Sequence, residues 1–148
     1  VEGGGQENGV RPGTLNVPGI VGMGLACQLA IETMDAETAR LRGLRERLLA
    51  TLLRGLDGLA LNGHPDERLA GNLSVSIEGV EAEPLLLGLP GGALSAGEAS
   101  HVLEAIGAAG GAARAAQRIG LADITTEDEI DRAARLVIER VRALRKPD

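Results

Sequence analysis

The sequence predicts an α+β fold in which helices flank a small, mainly antiparallel sheet. Two observations carry this prediction. Apolar residues recur at helical spacing near both ends of the chain, and a short segment between them alternates apolar and polar residues. A chain of 148 residues is one domain in length and is long enough to bury a core without disulfide bonds.

The N-terminal part of the chain predicts a loop followed by two helices. Residues 1–16 are rich in glycine and show no hydrophobic period, so we expect a loop. Residues 17–31 are apolar, and we expect a largely buried helix with Pro18 in its first turn. Residues 35–56 carry leucines every three to four positions opposite a charged face, which predicts a long amphipathic helix.

Strand signals dominate the middle of the chain. Leu73, Val75 and Ile77 alternate with serines, which is the period of a half-buried strand. A second strand is expected over residues 115–121, although Gln117 and Arg118 interrupt its apolar pattern. We also expect a strand at 93–95, short helices over 81–89 and 100–106, and a small-residue linker over 107–113.

The last helix has the clearest signature. Thr126 and Glu129 have the spacing of a capping box, which marks a helix N-terminus. The apolar residues that follow line one face of the predicted helix: Ile130, Ala134, Val137, Val141 and Leu144.

Composition excludes several functions. The chain has no aromatic residue, so base-stacking platforms are absent, and a net charge of −6 with dispersed arginines argues against a nucleic-acid partner.

The single cysteine, Cys27, excludes an internal disulfide, and we expect it to be a small buried core residue in a reducing, cytoplasmic protein. Two histidines are too few to predict a metal site. No uninterrupted apolar run predicts a membrane-spanning helix.

Four ordered motifs resemble the cysteine desulfurases of the class V aminotransferase group. The first is Gly-Gly-Gly-Gln-Glu at residues 3–7 with Arg-Pro-Gly-Thr-Leu-Asn-Val-Pro at 11–18. The others are Asn-Gly-His-Pro at 62–65 with Gly-Asn-Leu-Ser at 71–74, Ser-His-Val-Leu at 100–103, and the segment 118–131. The resemblance covers nearly the whole chain.

The resemblance implies the fold of the C-terminal, small domain of fold-type I pyridoxal phosphate enzymes. Residues 1–16 would be a loop that joins a missing large domain, and residues 17–148 would be the small domain. The first residue is Val1 rather than Met, and we expect sequence upstream. In the family, a lysine of the large domain holds pyridoxal phosphate as a Schiff base. The only lysine here is Lys146, at the tail of the last helix, so we expect no binding of the cofactor by this chain alone.

By the same resemblance, Arg118 matches an arginine that binds the substrate carboxylate, and Thr14 matches a threonine that reaches the cofactor phosphate of the other subunit in a dimer. Arg11 and Asn16 lie in the same segment as Thr14. The alternatives are a surface arginine on an edge strand and an ordinary loop threonine. The family's nucleophilic cysteine belongs to a loop that is deleted here, since Leu94–Gly97 runs straight into Glu98–Leu103. No catalytic residue is therefore assigned.

Two functions follow as hypotheses. In the first, the chain is the small domain of a cysteine desulfurase that transfers sulfur from cysteine, as in iron–sulfur cluster assembly. Its partner would be the missing large domain or a second copy, and a sulfur-acceptor protein is also expected. In the second, the chain is a degenerate, non-catalytic module for binding or regulation in sulfur trafficking. Neither hypothesis involves a nucleic acid or a membrane.

Overall fold

A computed structural model describes residues 3–87, 94–95, 105 and 116–146 of the chain. The helices in this part are α1 (Val17–Gly55), α2 (Ala82–Leu87) and α3 (Glu127–Leu144), and a 3-10 turn spans Gln6–Gly9. The strands are β1 (Leu59–Leu61), β2 (Asn72–Ile77), β3 (Leu94–Ser95) and β4 (Ala116–Gly120). The chain divides into two compact units, Val1–Ala36 and Glu37–Asp148.

The strands form one antiparallel sheet in the second unit. Their order is β1-β2-β4-β3, so β4 lies between β2 and β3. This arrangement of a small antiparallel sheet with helices confirms the predicted α+β fold. The strands predicted from Leu73 to Ile77, at 93–95 and over 115–121 are observed as β2, β3 and β4, and the helix predicted over 81–89 is observed as α2.

One face of the sheet belongs to the hydrophobic core. Leu73, Val75 and Ile77 of β2 are almost fully buried, as their alternation predicted. They join the C-terminal half of α1, α2 and the apolar face of α3 in a single cluster, whose helical members are Leu44, Leu48, Leu52, Leu85, Ile130, Ala134, Val137 and Val141. The core is built from aliphatic side chains because the chain contains no aromatic ones.

A glycine allows β2 to begin close to the end of β4. The Leu121 amide donates to the Gly71 carbonyl oxygen at 2.8 Å. A Cβ atom on residue 71 would lie 2.5 Å from the Leu121 carbonyl oxygen, a backbone atom that cannot move aside as a side chain can. Gly71 therefore secures the pairing of the two central strands at this end.

The predicted capping box at the start of α3 is confirmed. Thr126 Oγ1 accepts a hydrogen bond from the Glu129 amide at 3.3 Å, and Glu129 Oε2 accepts one from the Thr126 amide at 2.9 Å. Two backbone N–H groups at the helix start are thereby satisfied by side chains.

The structure corrects the prediction for residues 17–56. Instead of two helices, α1 is one continuous helix of 39 residues. The intervening residues 32–34 contain neither glycine nor proline, so nothing in the sequence ends the first helix there. The predicted burial of residues 17–31 is also wrong, because this part of α1 is exposed along its length.

The same exposure corrects the expectation for Cys27. Its side chain is exposed on α1 rather than packed in a core. The apolar composition of residues 17–31 predicted that Cys27 would be buried. Within the first unit, Val1–Ala36, no described residue covers it. By length and composition, α1 is also apolar enough to cross a membrane, a test that core helices of soluble proteins pass as well.

Two predicted segments lie largely outside the described residues. Of the helix expected over 100–106, only Ala105 is described, and it is helical. The linker expected over 107–113 lies wholly outside, as does His101.

Candidate functional site

Arg118 lies on the face of the sheet that points away from the hydrophobic cluster. Its neighbours on β4, Gln117 and Ile119, are buried, whereas Arg118 is exposed. In the register of the sheet it stands directly between Ser74 of β2 and Ser95 of β3. The interpretation of Arg118 as an arginine on an edge strand is therefore wrong, because β4 is paired on both sides.

A hydrogen-bonded group of small polar side chains lies beside Arg118. Ser76 Oγ donates to Asn62 Oδ1 at 3.1 Å, and Asn62 Nδ2 donates to Ser74 Oγ at 3.2 Å. These bonds place Ser74 and Ser76 on one side of β2. Because residues opposite each other in an antiparallel pair share a face, Ser74 and Arg118 are cross-strand neighbours.

The backbone around Asn62 is held firmly in place. The Asn62 amide donates to the Ser74 carbonyl at 2.9 Å, which extends the β1–β2 pairing by one residue. Arg68 donates from Nη2 to the Asn62 carbonyl at 2.7 Å and from Nε to the His64 carbonyl at 2.8 Å. Burial, and secondly the positive charge of Arg45, lower the pKa of Arg68 from its ordinary value.

His64 serves the turn that follows Asn62. Its Nδ1 accepts hydrogen bonds from the amides of Asp66 at 3.1 Å and Glu67 at 2.9 Å. The His64 ring is thereby bonded to the backbone that follows Pro65. Within the described part of the chain, no group of three or more His, Cys, Asp or Glu side chains is placed to hold a metal ion.

Thr14 lies in the first unit, in a loop ordered by Arg11. The Arg11 guanidinium donates from Nη1 to the carbonyl oxygens of Gly13 at 2.8 Å and Thr14 at 2.9 Å. The Gln6 side chain accepts from the Gly13 amide at 3.1 Å. The loop is thus held by side-chain to backbone bonds, and the Thr14 side chain is exposed.

Asn16 begins α1. Its Oδ1 accepts a hydrogen bond from the Gly19 amide at 3.1 Å, the geometry of an N-cap. Arg11 and Asn16 therefore have structural roles in the loop and at the helix start. Thr14 belongs to the first unit and Arg118 to the second.

The residues present do not fit a complete pyridoxal phosphate site. A Schiff base needs a lysine fixed in a partly desolvated pocket. The only lysine in the sequence, Lys146, is exposed and follows the end of α3. Thr14 offers a hydroxyl for a phosphate, but this donor alone does not bind the cofactor.

Three side chains, those of Asn72, Gln117 and Arg140, have buried polar atoms without a hydrogen-bond partner among the described residues. Both the Oε1 and the Nε2 atom of Gln117, on the core side of β4, are buried without such a partner. The other two atoms are Asn72 Oδ1, at the start of β2, and Arg140 Nε, on α3. Sequence reasoning noted Gln117 only as an interruption of a strand pattern.

Sequence reasoning also missed Asn62, Ser74 and Ser76 as members of the site. The signal was available in part, since the alternation in β2 puts its serines on the face opposite Leu73 and Val75. What the sequence did not show is the register that sets Ser74 against Arg118 and Asn62.

Comparison with known proteins gives the family and the fold of this chain. The sequence model of the aminotransferase class-V family matches residues 4–133, and the chain belongs to that family. The predicted resemblance to cysteine desulfurases is confirmed by individual relatives. Cysteine desulfurase IscS of Anaeromyxobacter sp. (strain K) is 46% identical over 99% of this chain. The mitochondrial cysteine desulfurase of Arabidopsis thaliana is 42% identical over 99% of it.

Solved structures give the same result. A NifS-like protein matches 97% of this chain with a TM-score of 0.85 and 33% identity. A NifS-like protein from Rickettsia africae ESF-5 matches with a TM-score of 0.80 and 29% identity over 97% of this chain. The chain covers 38% of the length of IscS and 38% of the first structure, so these relatives contain much that is not represented here.

Proposed function

We propose that this chain supplies the small, C-terminal domain of a pyridoxal phosphate-dependent cysteine desulfurase, an enzyme that transfers sulfur from cysteine. The observation that carries the proposal is Arg118, which is exposed on the polar face of a sheet whose fold matches NifS-like proteins. In this proposal, residues 1–16 join the large domain and residues 17–148 form the small domain.

Arg118 binds the carboxylate of the amino-acid substrate. A guanidinium presents a planar set of N–H donors that matches the two oxygens of a carboxylate. The sheet supports this role, because β4 is fixed between two strands and holds the arginine at a defined position. Thr14, in its arginine-braced loop, donates its hydroxyl to the cofactor phosphate of the other subunit of a dimer.

Pyridoxal phosphate and its lysine come from a large domain in this proposal. The N-terminal half of α1, residues 17–36, supports such a partner. Its exposed apolar residues include Ile20, Val21, Met23, Leu25, Leu29 and Ile31, which point to every side of the helix. A helix that is apolar all round is a buried helix in the assembled protein. The site of action is the cytoplasm, and a sulfur-acceptor protein of iron–sulfur cluster assembly receives the product.

A second function has one observation in its favour. The sequence from Leu94 to Leu103 contains no cysteine, and the only cysteine, Cys27, lies on α1 in the first unit. A chain without a nucleophile in that segment acts as a non-catalytic binding or regulatory module in sulfur trafficking.

Purification of the protein from its native source distinguishes the two. Intact mass and the visible absorption spectrum are measured on whatever co-purifies. A longer polypeptide, or a stoichiometric second chain, that carries Schiff-base absorption is expected for the desulfurase. A lone, colourless chain of 15.2 kDa contradicts it and supports the non-catalytic module.

A further inference from the structure

Three polar side chains cross one face of the sheet in a row: Asn62, Ser74 and Arg118, here called the polar row. Asn62 follows β1 and bonds to the Ser74 backbone, and Ser74 is the register partner of Arg118. Opposed residues in an antiparallel pair have Cβ atoms roughly 4.5–5.5 Å apart. A long arginine and a serine at this spacing can therefore contact one small ligand.

The hydrogen bonds of the row have a direction. Ser76, which is 6% exposed, uses its proton to reach Asn62 Oδ1. Asn62 in turn donates from Nδ2 to Ser74 Oγ. Since Ser74 Oγ accepts in this bond, its own proton remains to be donated, and none of the hydrogen bonds between described residues uses that proton.

The direction also strengthens Ser74 as a donor. Consecutive hydrogen bonds polarise one another, so a hydroxyl that accepts from an amide donates more strongly. Donation from a hydroxyl to an anion gives a short, charge-assisted bond. A carboxylate has lone pairs for about four such bonds, so it can accept from a guanidinium and a hydroxyl together.

We propose that Ser74 is a second carboxylate-binding residue beside Arg118, and that Ser76 and Asn62 are positioning residues that orient its hydroxyl. The proposal rests on the function proposed above and deepens it. The ligand is the α-carboxylate of a small amino acid, bound on the polar face of β2 and β4. Ser74 thereby contributes to affinity for the free amino acid over neutral analogues.

The test is an NMR titration of the isotopically labelled 148-residue chain with L-cysteine under reducing conditions. L-cysteine methyl ester, which lacks the carboxylate charge, is the matched ligand. We expect saturable shifts of the Ser74 amide and the Arg118 Nε–H signals with L-cysteine and not with the ester. Loss of one charge-assisted hydrogen bond in Ser74→Ala raises Kd about tenfold.

Two further variants separate a binding role from a structural one. Ser74→Thr keeps the hydroxyl on a residue suited to a strand, and we expect it to retain wild-type affinity. Thr51→Ala removes a hydroxyl that bonds to the Arg47 carbonyl on α1, away from the polar row, and serves as a control without effect on Kd. Dispersed amide spectra check that each variant is folded.

The outcomes distinguish this inference from the proposed function. If Arg118→Gln abolishes the shifts while Ser74→Ala leaves Kd unchanged, the role of Ser74 is contradicted and the carboxylate site stands. If Ser74→Thr loses affinity as Ser74→Ala does, the hydroxyl is not the binding group. If the wild-type chain shows no saturable shift with L-cysteine, the carboxylate site and the role of Ser74 are both contradicted.

Discussion

At the scale of single residues, Gln117 is a polar side chain in an apolar environment. It occupies a core position on β4 between the positions of Arg118 and Ala116, and it is 2% exposed. Neither its Oε1 nor its Nε2 has a hydrogen-bond partner in the described part of the chain. A buried amide without partners loses its hydration and gains nothing in return.

We predict that Gln117→Met stabilises the fold. Methionine has a similar shape and adapts to an existing space, while it removes two unsatisfied polar atoms. The free energy of unfolding should rise by about 1–3 kcal/mol. Urea denaturation followed by circular dichroism measures it. An unchanged or lower free energy of unfolding would contradict the prediction. It would mean that the Gln117 side chain has a hydrogen-bond partner in the folded chain.

The polar row marks the limit of residue-level prediction. Arg118 was found by its place in a motif, and the alternation of β2 indicated that Ser74 lies on a polar face. The pairing of Ser74 with Arg118, and of Asn62 with both serines, depends on strand register. Register is set by the match between whole strands and their turns, so no single residue reveals it.

At the scale of elements, an ion pair joins α1 to α3. Arg47 donates from Nε and Nη2 to the two oxygens of Asp131, at 2.8 and 2.7 Å. It also donates from Nη1 to Glu127 at 3.0 Å, in the acidic first turn of α3. The hydrogen bond from Arg47 holds the pKa of Asp131 below its ordinary value of 3.8.

This pair predicts how stability depends on pH. Because the pKa of Asp131 is lowered by folding, its contribution is fully present above pH 3.8 and is lost as the pH falls through the folded value. Arg47→Met keeps the aliphatic stem and removes the charge. We expect this variant to be less stable than the wild type near neutral pH, with the difference closing below pH 3.8.

Urea unfolding at a series of pH values measures the effect. The matched control is Arg54→Met, since Arg54 is an exposed arginine of the same helix that bonds to Thr51 rather than to a carboxylate. The control should keep the wild-type pH dependence. A gap between Arg47→Met and the wild type that stays constant with pH would rule out the ionised Asp131 as its cause.

At the scale of the whole molecule, apolar surface is distributed unevenly between the units. In the first unit, the N-terminal half of α1 exposes large aliphatic side chains, among them Val21 at 65%, Met23 at 67% and Ile31 at 70%. Contiguous apolar surface of this kind marks a contact site for another protein surface. The second unit has its own aliphatic cluster.

We predict that the isolated chain self-associates through the N-terminal half of α1. Sedimentation velocity at increasing concentration should show species larger than 15.2 kDa. The double variant Val21→Glu, Ile31→Glu should shift the distribution towards monomer, because charges on this face oppose its burial. Leu87→Glu, at a position 82% exposed on α2, is the control and should leave association unchanged. A wild-type chain that stays monomeric at every concentration would contradict the prediction.

The sequence by itself determined the classes of element, the α+β fold, the α3 capping box and the family, because helical and strand periods, cap spacing and ordered motifs are local properties. The tertiary structure decided three things that local patterns do not contain. It made residues 17–55 one helix with an exposed apolar half, where apolar composition had predicted burial that included Cys27. It placed β4 inside the sheet, and it set Asn62, Ser74 and Arg118 in one row. Burial and register depend on which surfaces meet, and residues distant in the chain determine that.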